Sequence, residues 1–293
     1  MELFKTSGDT PLIKLDDRLW GKLETYNPTG SVKDRMIGYI VKHAIRSGEL
    51  QSGQVLVEAT SGNTGIALAA IGAQLGHPVK IVMPGNMSEE RKKMMRLLGA
   101  ELVEVGDSDF QGAIEFRNQM ITEDGCWSPR QFENPMNIEC HRLTTGREIY
   151  NQVTYTPHFA SFPEHRKRWA AFIHGAGTGG TIMGVHAYCQ AHPQLDVKFG
   201  LVVPAEPADQ HGIQGINDGA DFLVDRSLMD AVLPVTTEEA LERTRQLHKQ
   251  GLMVGISSAA NIIASERWIE ENQPEGEVVT MLCDRGERYM SIL

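Results

Sequence analysis

The hydrophobic pattern changes period along the chain, and each change marks an element. A short alternation, Leu12, Ile13 and Leu15, follows the turn Gly8-Asp9-Thr10-Pro11. Met36, Ile37, Ile40, Val41, Ala44 and Ile45 then recur at the spacing of one helical face, and Gly48 closes that helix. Residues 55–59, apolar except for Glu58, predict a buried strand entering Thr60-Ser61-Gly62 directly. A helix over 64–75 ends at Gly76, and a strand over 79–83 stops at Pro84-Gly85. Ser88 is placed to cap the next helix, with Glu89 and Glu90 in the first turn, where the helix dipole favours carboxylates. Leu97, Leu98 and Gly99 end it before a strand over 101–105. Helices over about 110–123 and 139–151 follow.

Residues 154–168 break the rhythm with prolines and a basic cluster, His165-Arg166-Lys167-Arg168, read as a solvated loop. The cadence resumes with a strand over 170–174, a helix over 180–191 and a strand over 197–203. Residues 205–225 form a long loop rich in Gly, Asp and Gln, of the kind that serves as a lid or substrate segment. A charged helix over 237–250, capped by Thr236 or Thr237, precedes a strand at 252–254, a helix over 258–271 and a strand over 277–283. Strand and helix alternate almost throughout, and each half repeats a strand that ends in a Gly-rich turn opening a helix. The pattern predicts an α/β protein of two doubly wound parallel-sheet domains with a cleft between them.

Composition narrows the chemistry. The 293 residues carry a formal charge of −10, a poor match to nucleic acid or an anionic membrane. No apolar run reaches the roughly 20 residues of a membrane span, and the first residues lack a signal peptide's apolar core, so a cytoplasmic protein is expected. Cys126, Cys140, Cys189 and Cys283 form no C-x-x-C pair, and the histidines show no metal-ligand spacing, so no metal is expected.

Three stretches carry candidate chemistry. Asn27-Pro28-Thr29-Gly30-Ser31-Val32-Lys33-Asp34-Arg35 sets a lysine behind a Pro/Gly turn and ahead of a helix, where its amine is held still yet reachable. Gly177-Thr178-Gly179-Gly180-Thr181 follows a strand and opens a helix, so backbone N–H groups and the helix dipole can meet an anion there. It matches neither the nucleotide P-loop nor the dinucleotide fingerprint. Thr60-Ser61-Gly62-Asn63-Thr64-Gly65 adds hydroxyls and an amide, which suit a carboxylate or a ring oxygen; an N-cap cluster is the plainer alternative. Gly255-Ile256-Ser257-Ser258 is a further strand-to-helix turn, where a serine can serve as a cap or hydrogen-bond a ring nitrogen.

Together with Gly8 to Leu12, Met83-Pro84, Met87-Ser88, Gln131-Phe132, Asn134-Pro135, Thr144-Thr145-Gly146 and Gly286 to Tyr289, these motifs resemble the cysteine synthase (O-acetylserine sulfhydrylase) family nearly end to end. That family consists of fold-type II pyridoxal-phosphate enzymes, similar in fold to the tryptophan synthase β-subunit. Cys283-Asp284-Arg285-Gly286-Glu287-Arg288-Tyr289 resembles its B-type isozyme. The resemblance implies that Lys33 is the Schiff-base lysine and the general base on Cα. It assigns the cofactor phosphate to Gly177, Thr178, Gly179, Gly180 and Thr181, the ring 3′-oxygen to Asn63, and the pyridine nitrogen to Ser257. Thr60, Ser61, Asn63, Thr64 and Gln131 would clamp the substrate α-carboxylate. A smaller domain over 36–145 and a larger one from 1–35 plus 146–293 are expected, with the active site between them.

The implied reaction is a β-replacement that converts O-acetyl-L-serine, with sulfide or thiosulfate, to L-cysteine or S-sulfocysteine. A homodimer, and binding of a serine acetyltransferase C-terminal tail, are implied on the same basis. The chain departs from the family at Ala259-Ala260, at Arg147 where a proline is usual, in the short 204–221 loop, and in stopping at Leu293 without the customary tail. The readings left open are an O-phosphoserine-using or cystathionine β-synthase-like enzyme and a catalytically silent partner of serine acetyltransferase.

Overall fold

The computed structural model describes residues 3–155, 168–207, 210–216 and 221–293. Most of the 154–168 break, including His165 to Lys167, and parts of the 205–225 loop lie outside the described residues.

The chain begins with strands β1 (Leu12–Lys14) and β2 (Leu19–Leu23), then helix α1 (Lys33–Ser47). Next come β3 (Leu56–Ala59), α2 (Asn63–Leu75), β4 (Val79–Pro84), α3 (Glu89–Leu97), β5 (Glu101–Val105) and α4 (Phe110–Glu123). Two short helices, α5 (Met136–His141) and α6 (Arg147–Tyr155), flank a π-helical turn over Arg142–Gly146. The last third holds β6 (Trp169–Gly175), α7 (Gly180–Gln190), β7 (Lys198–Pro204), β8 (Ala231–Val235), α8 (Thr237–Lys249), α9 (Ile256–Asn272) and β9 (Glu277–Leu282).

The strands form two sheets. Six order as β1-β2-β9-β6-β7-β8, parallel except for β1, and three order as β3-β4-β5, all parallel. Both faces of each sheet are covered, as parallel sheets require. In β6, Ala171 and Ile173 join one core with α8 and α9, while Phe172 joins another with Ile182, Val185 and Tyr188 of α7. In the small sheet, Leu56 and Ile81 pack with α1 and α2, whereas Val57, Ala59 and Val82 pack with α4.

Several boundaries differ from the hydrophobic pattern. β2 is interrupted by Gly21 and Lys22, yet Lys22 is fully buried because its ammonium is paired. β8 contains Pro234, tolerated because it is an edge strand. The expected strand at 252–254 is a single bridge between Val254 and Arg285. The expected helix over 139–151 is instead α5, the π turn and α6. Ser88 occupies the cap position of α3, but its hydroxyl donates to the Arg288 carbonyl rather than capping. Thr236, by contrast, closes a complete capping box with Glu239 on α8.

A buried charge cluster ties β2, α1 and α6 together. Arg35 Nε lies 2.6 Å from Glu24, and its Nη1 lies 2.7 Å from Glu148, which Lys22 also meets at 2.7 Å. Burial pushes the Glu148 carboxyl up, but the Arg35 and Lys22 cations outweigh it and bring the carboxyl down to about 2. Breaking a buried pair strands the remaining charge. Arg35→Met is therefore expected to lower unfolding free energy by about 3–5 kcal/mol in urea titrations. Removing the exposed Lys14–Asp17 pair through Lys14→Ala should cost less than about 1 kcal/mol.

Candidate active site

The turn that presents Lys33 is locked from within and from behind. Asp34, the second residue of α1, accepts from Thr29 N at 2.8 Å and Thr29 Oγ1 at 2.5 Å. Burial pushes its carboxyl up to about 6, and the bonds from Thr29 and Ser31 offset that only in part. The fully buried Arg288 donates to the carbonyls of Thr29 and Gly30, and Val32 N donates to the Cys283 carbonyl. Lys33 is thus fixed at the mouth of α1 against the chain that leaves β9.

Lys33 opens onto a cavity that brings together stretches far apart in sequence. Thr60, Ser61, Asn63 and Thr64 line it from the turn between β3 and α2, together with Gln131. Gly177, Thr178, Gly179 and Thr181 line it from the turn between β6 and α7, and Ser257 lines it from the first turn of α9. Gly180 stands just behind, as the first residue of α7.

The two turns are built differently. In the 60–65 turn, Thr60 Oγ1 accepts from Gly62 N, and Thr64 Oγ1 donates to Gln131 Oε1 at 2.6 Å. Gln131 is anchored in turn: its Nε2 donates to the Ala59 carbonyl and its backbone N to the buried Glu58, which also pairs with Arg117. Asn63 Nδ2 donates to Asp284 Oδ2 at 2.7 Å, while Asn63 Oδ1 is buried with no partner. In the 177–181 turn a Cβ on Gly177 would meet the Gly215 carbonyl oxygen at 2.6 Å. One on Gly180 would sit 1.9 Å from Asn137 Oδ1. At those two positions no side chain larger than hydrogen fits, which keeps the backbone at the head of α7 open to an anion. Gly180 N makes only a long 3.4 Å bond to Thr178 Oγ1.

The floor of the cavity is neutral. Asn261 Oδ1 accepts from Gly175 N at 2.8 Å and its Nδ2 donates to the Met281 carbonyl at 3.0 Å, so the amide orientation is fixed by the backbone. Nδ2 also lies 3.1 Å from His174 Nδ1, which must accept, leaving the imidazole proton on Nε2. Burial, with Lys33 adding to it, drives the His174 pKa down to about 3. His141, bonded to Thr145 and Thr181, is likewise held well below its usual range by burial and by Arg35 and Lys33. Burial pushes the Cys283 thiol up to about 12, so it is protonated and unreactive at neutral pH.

Asn137, His174, Asp284 and Arg91 also serve this site, and motif reading passed over them as site residues. Asp284 lies in the stretch that suggested the B-type isozyme, and that was its only signal. Asn137 donates to Thr178 Oγ1 and the Gln131 carbonyl, and so joins the two turns. Arg91 reaches the cavity wall from α3.

A strand-turn-helix anion cradle, a presented lysine and a polar turn around one cavity define an α/β enzyme that holds a phosphorylated cofactor. The family described as pyridoxal-phosphate dependent enzymes matches residues 3–284. The side chains fit that cofactor: Lys33 supplies the amine, the 177–181 turn has room for a phosphate, and the orphaned Asn63 Oδ1 faces a missing polar partner. Cysteine synthase from Staphylococcus aureus is 36% identical over 302 residues, covering 97% of this chain and 93% of that protein. Cysteine synthase B from Escherichia coli is also 36% identical, with coverage of 99% and 94%. A solved hydrogen sulfide-producing enzyme from Fusobacterium nucleatum superposes with a TM-score of 0.88 at 35% identity, covering 99% of this chain and 90% of that one. The chain belongs to the cysteine synthase family of pyridoxal-phosphate dependent enzymes.

Two outcomes follow from this geometry. Gly177→Ala is expected to weaken cofactor retention by about tenfold or more. Visible absorbance per chain after dialysis reads the loss, with far-ultraviolet circular dichroism unchanged. His174 takes a proton near pH 6.5 when unfolded and only at about 3 when folded, so its stabilising effect is complete above 6.5 and lost as pH falls. The cost at pH 5 is roughly 2 kcal/mol. Urea titrations at pH 7 and pH 5 should show His174→Asn losing that much less stability than the parent.

Proposed function

We propose that the protein makes L-cysteine by β-replacement on O-acetyl-L-serine with sulfide, or S-sulfocysteine when thiosulfate is the donor. The observation that carries this reading is the convergence of Lys33, the 60–65 turn and the 177–181 turn on one cavity. Bound pyridoxal phosphate supplies an electron sink that acidifies the α-proton of an amino acid joined to it. The chain's own residues then have separable tasks.

Backbone N–H groups of Gly177 to Thr181 hold the phosphate, with Thr178 braced by Asn137. Asn63, oriented by Asp284, meets the ring oxygen. Ser257 faces the ring nitrogen with a neutral hydroxyl, which tempers the electron sink and favours elimination at Cβ. Thr60, Ser61 and Asn63 clamp the α-carboxylate together with Thr64, whose hydroxyl proton goes to Gln131 Oε1 and which therefore contributes through its backbone. Gln131 supports them by holding the Thr64 hydroxyl, and its second amide proton is available to the carboxylate. Lys33 Nζ takes the proton from Cα, with His141 and His174, both kept neutral chiefly by burial, as its imidazole neighbours.

Residues 36–145 act in this reading as the smaller domain, which closes on 1–35 plus 146–293 once the carboxylate is bound. The family likeness supports a homodimer in the cytoplasm, with the cavity open to a serine acetyltransferase C-terminal tail when substrate is absent.

The test is product formation by the cofactor-loaded protein. O-acetyl-L-serine should shift its visible absorbance, and sulfide or thiosulfate should restore the spectrum as cysteine or S-sulfocysteine accumulates. Lys33→Ala is expected to lower turnover by roughly a thousandfold or more. Undiminished cysteine synthesis by that variant would overturn the mechanism.

A further inference from the structure

Among the described residues that line the cavity, Lys33 and Arg91 are cations and none is an aspartate or glutamate. The reading above employs the lysine and leaves the arginine without a task. Arg91 lies in the first turn of α3 and is 2% exposed. Its guanidinium carbon sits 4.6 Å over the centroid of the Tyr289 ring, and Nη1 donates to Gln214 Oε1. Its buried Nε has no partner.

Of the three other buried arginines among the described residues, two are ion-paired, Arg35 with two glutamates and Arg117 with Glu58 and Glu133. The third, Arg288, has no carboxylate partner there either but spends both of its terminal nitrogens on backbone carbonyls of the Lys33 turn. Arg91 has no carboxylate within ion-pair distance among the described residues. Asp284, across the Tyr289 hydroxyl, makes no ion pair with Arg91; it accepts from Tyr289 and Asn63 on Oδ2, while its buried Oδ1 has no partner among the described residues. A buried guanidinium without a counter-anion is costly unless the site receives one.

The position of Arg91 narrows the choice of anion. A Cβ on Gly62 would lie 2.3 Å from Arg91 Cδ, so the side chain runs flat along the 60–65 turn. The 177–181 turn is hemmed in by Gly215, Val224 and Asn137 instead. Arg91 therefore flanks the substrate end of the cavity rather than the phosphate cradle, and the α-carboxylate there already has hydroxyl and amide partners.

We propose that Arg91 recognises a second oxyanion, the group carried on or delivered to the substrate's Cβ. The inference rests on the β-replacement reading. In the elimination half, the Cα proton passes to Lys33 Nζ and the Cβ–O bond breaks. Its electron pair departs on oxygen as a carboxylate or a phosphate. In the addition half, an oxyanion sulfur donor brings charge to the same place. Either anion matches the planar fork of a guanidinium, and Gln214 holds that fork in plane.

Arg91→Gln and Arg91→Lys, both loaded with cofactor, test this. Inorganic sulfate is titrated against the visible absorbance of each, with L-alanine as a ligand that presents only the α-carboxylate. Sulfate affinity should fall by about tenfold or more in the Gln variant and recover in part in the Lys variant, while L-alanine affinity changes far less. If the anion is the leaving group, kcat/KM for O-phosphoserine relative to O-acetylserine falls about tenfold with sulfide as donor. If it is the donor, kcat/KM for thiosulfate relative to sulfide falls by that factor instead. Unchanged sulfate affinity overturns the proposal, as does an equal loss of L-alanine affinity, which would place Arg91 in the carboxylate clamp. A parent protein that forms neither cysteine nor S-sulfocysteine from any donor refutes the β-replacement reading, and the two titrations then still decide whether Arg91 binds an anion.

Discussion

The guanidinium of Arg35 is the fixed point of this structure. It sits two residues after Lys33 and is gripped by Glu24 from the end of β2 and Glu148 from α6, with Lys22 completing the charge balance. A single buried cluster thereby sets the direction of α1 relative to the large sheet. Burial makes the cluster unforgiving, because any partner removed leaves a charge with no water to solvate it. That rigidity matters for chemistry that depends on one amine. A lysine on a flexible loop would sample many positions, whereas one at the root of a helix pinned by paired charges starts from a narrow range.

The cavity forms where strand ends converge. β3 leads into Thr60, β6 into the 175–181 turn and β9 into Cys283 and Asp284, so carboxyl-terminal strand ends from both sheets open on the same space. Open parallel sheets place ligands at such ends, because the following helices point their N-termini there. Asp284 shows how the sheets are coupled: from the large sheet it takes a hydrogen bond from Asn63, the first residue of α2 beside the small sheet. Asn137 does the same for Gln131 and Thr178. The turns are positioned against each other by single side chains.

This explains which parts of the molecule could be read from sequence. β3, β4, β6 and β9 are mostly apolar and almost wholly buried, each with only one or two polar residues, so composition marks them. Gly180, pressed against Asn137, announces itself because only glycine fits, and Lys33 because a turn precedes it. β2 and β8 escaped because Lys22 and Pro234 interrupt their pattern, and both are tolerated for reasons of tertiary contact and edge position. Asn137, His174 and Arg91 escaped for the same kind of reason. Each acts through a partner at least 40 positions away, and nothing in its own neighbourhood distinguishes it from an ordinary polar residue on a helix or strand.

The electrostatic character of the cavity follows from the floor upward. Backbone groups of Gly175 and Met281 orient the Asn261 amide, and that amide makes His174 Nδ1 an acceptor. With its proton on Nε2 and its pKa far below neutrality, His174 adds no charge, and neither does His141. The buried carboxylates of Glu24 and Glu148 are spent on Arg35 and Lys22, Glu58 on Arg117, and Asp284 on two neutral donors. What remains facing the cavity is cationic, in a chain whose formal charge is −10. A positive cavity in a negative molecule focuses small anions toward it and repels cations from the surface around it. Such a field suits a site that must collect an amino-acid carboxylate and a phosphorylated cofactor together.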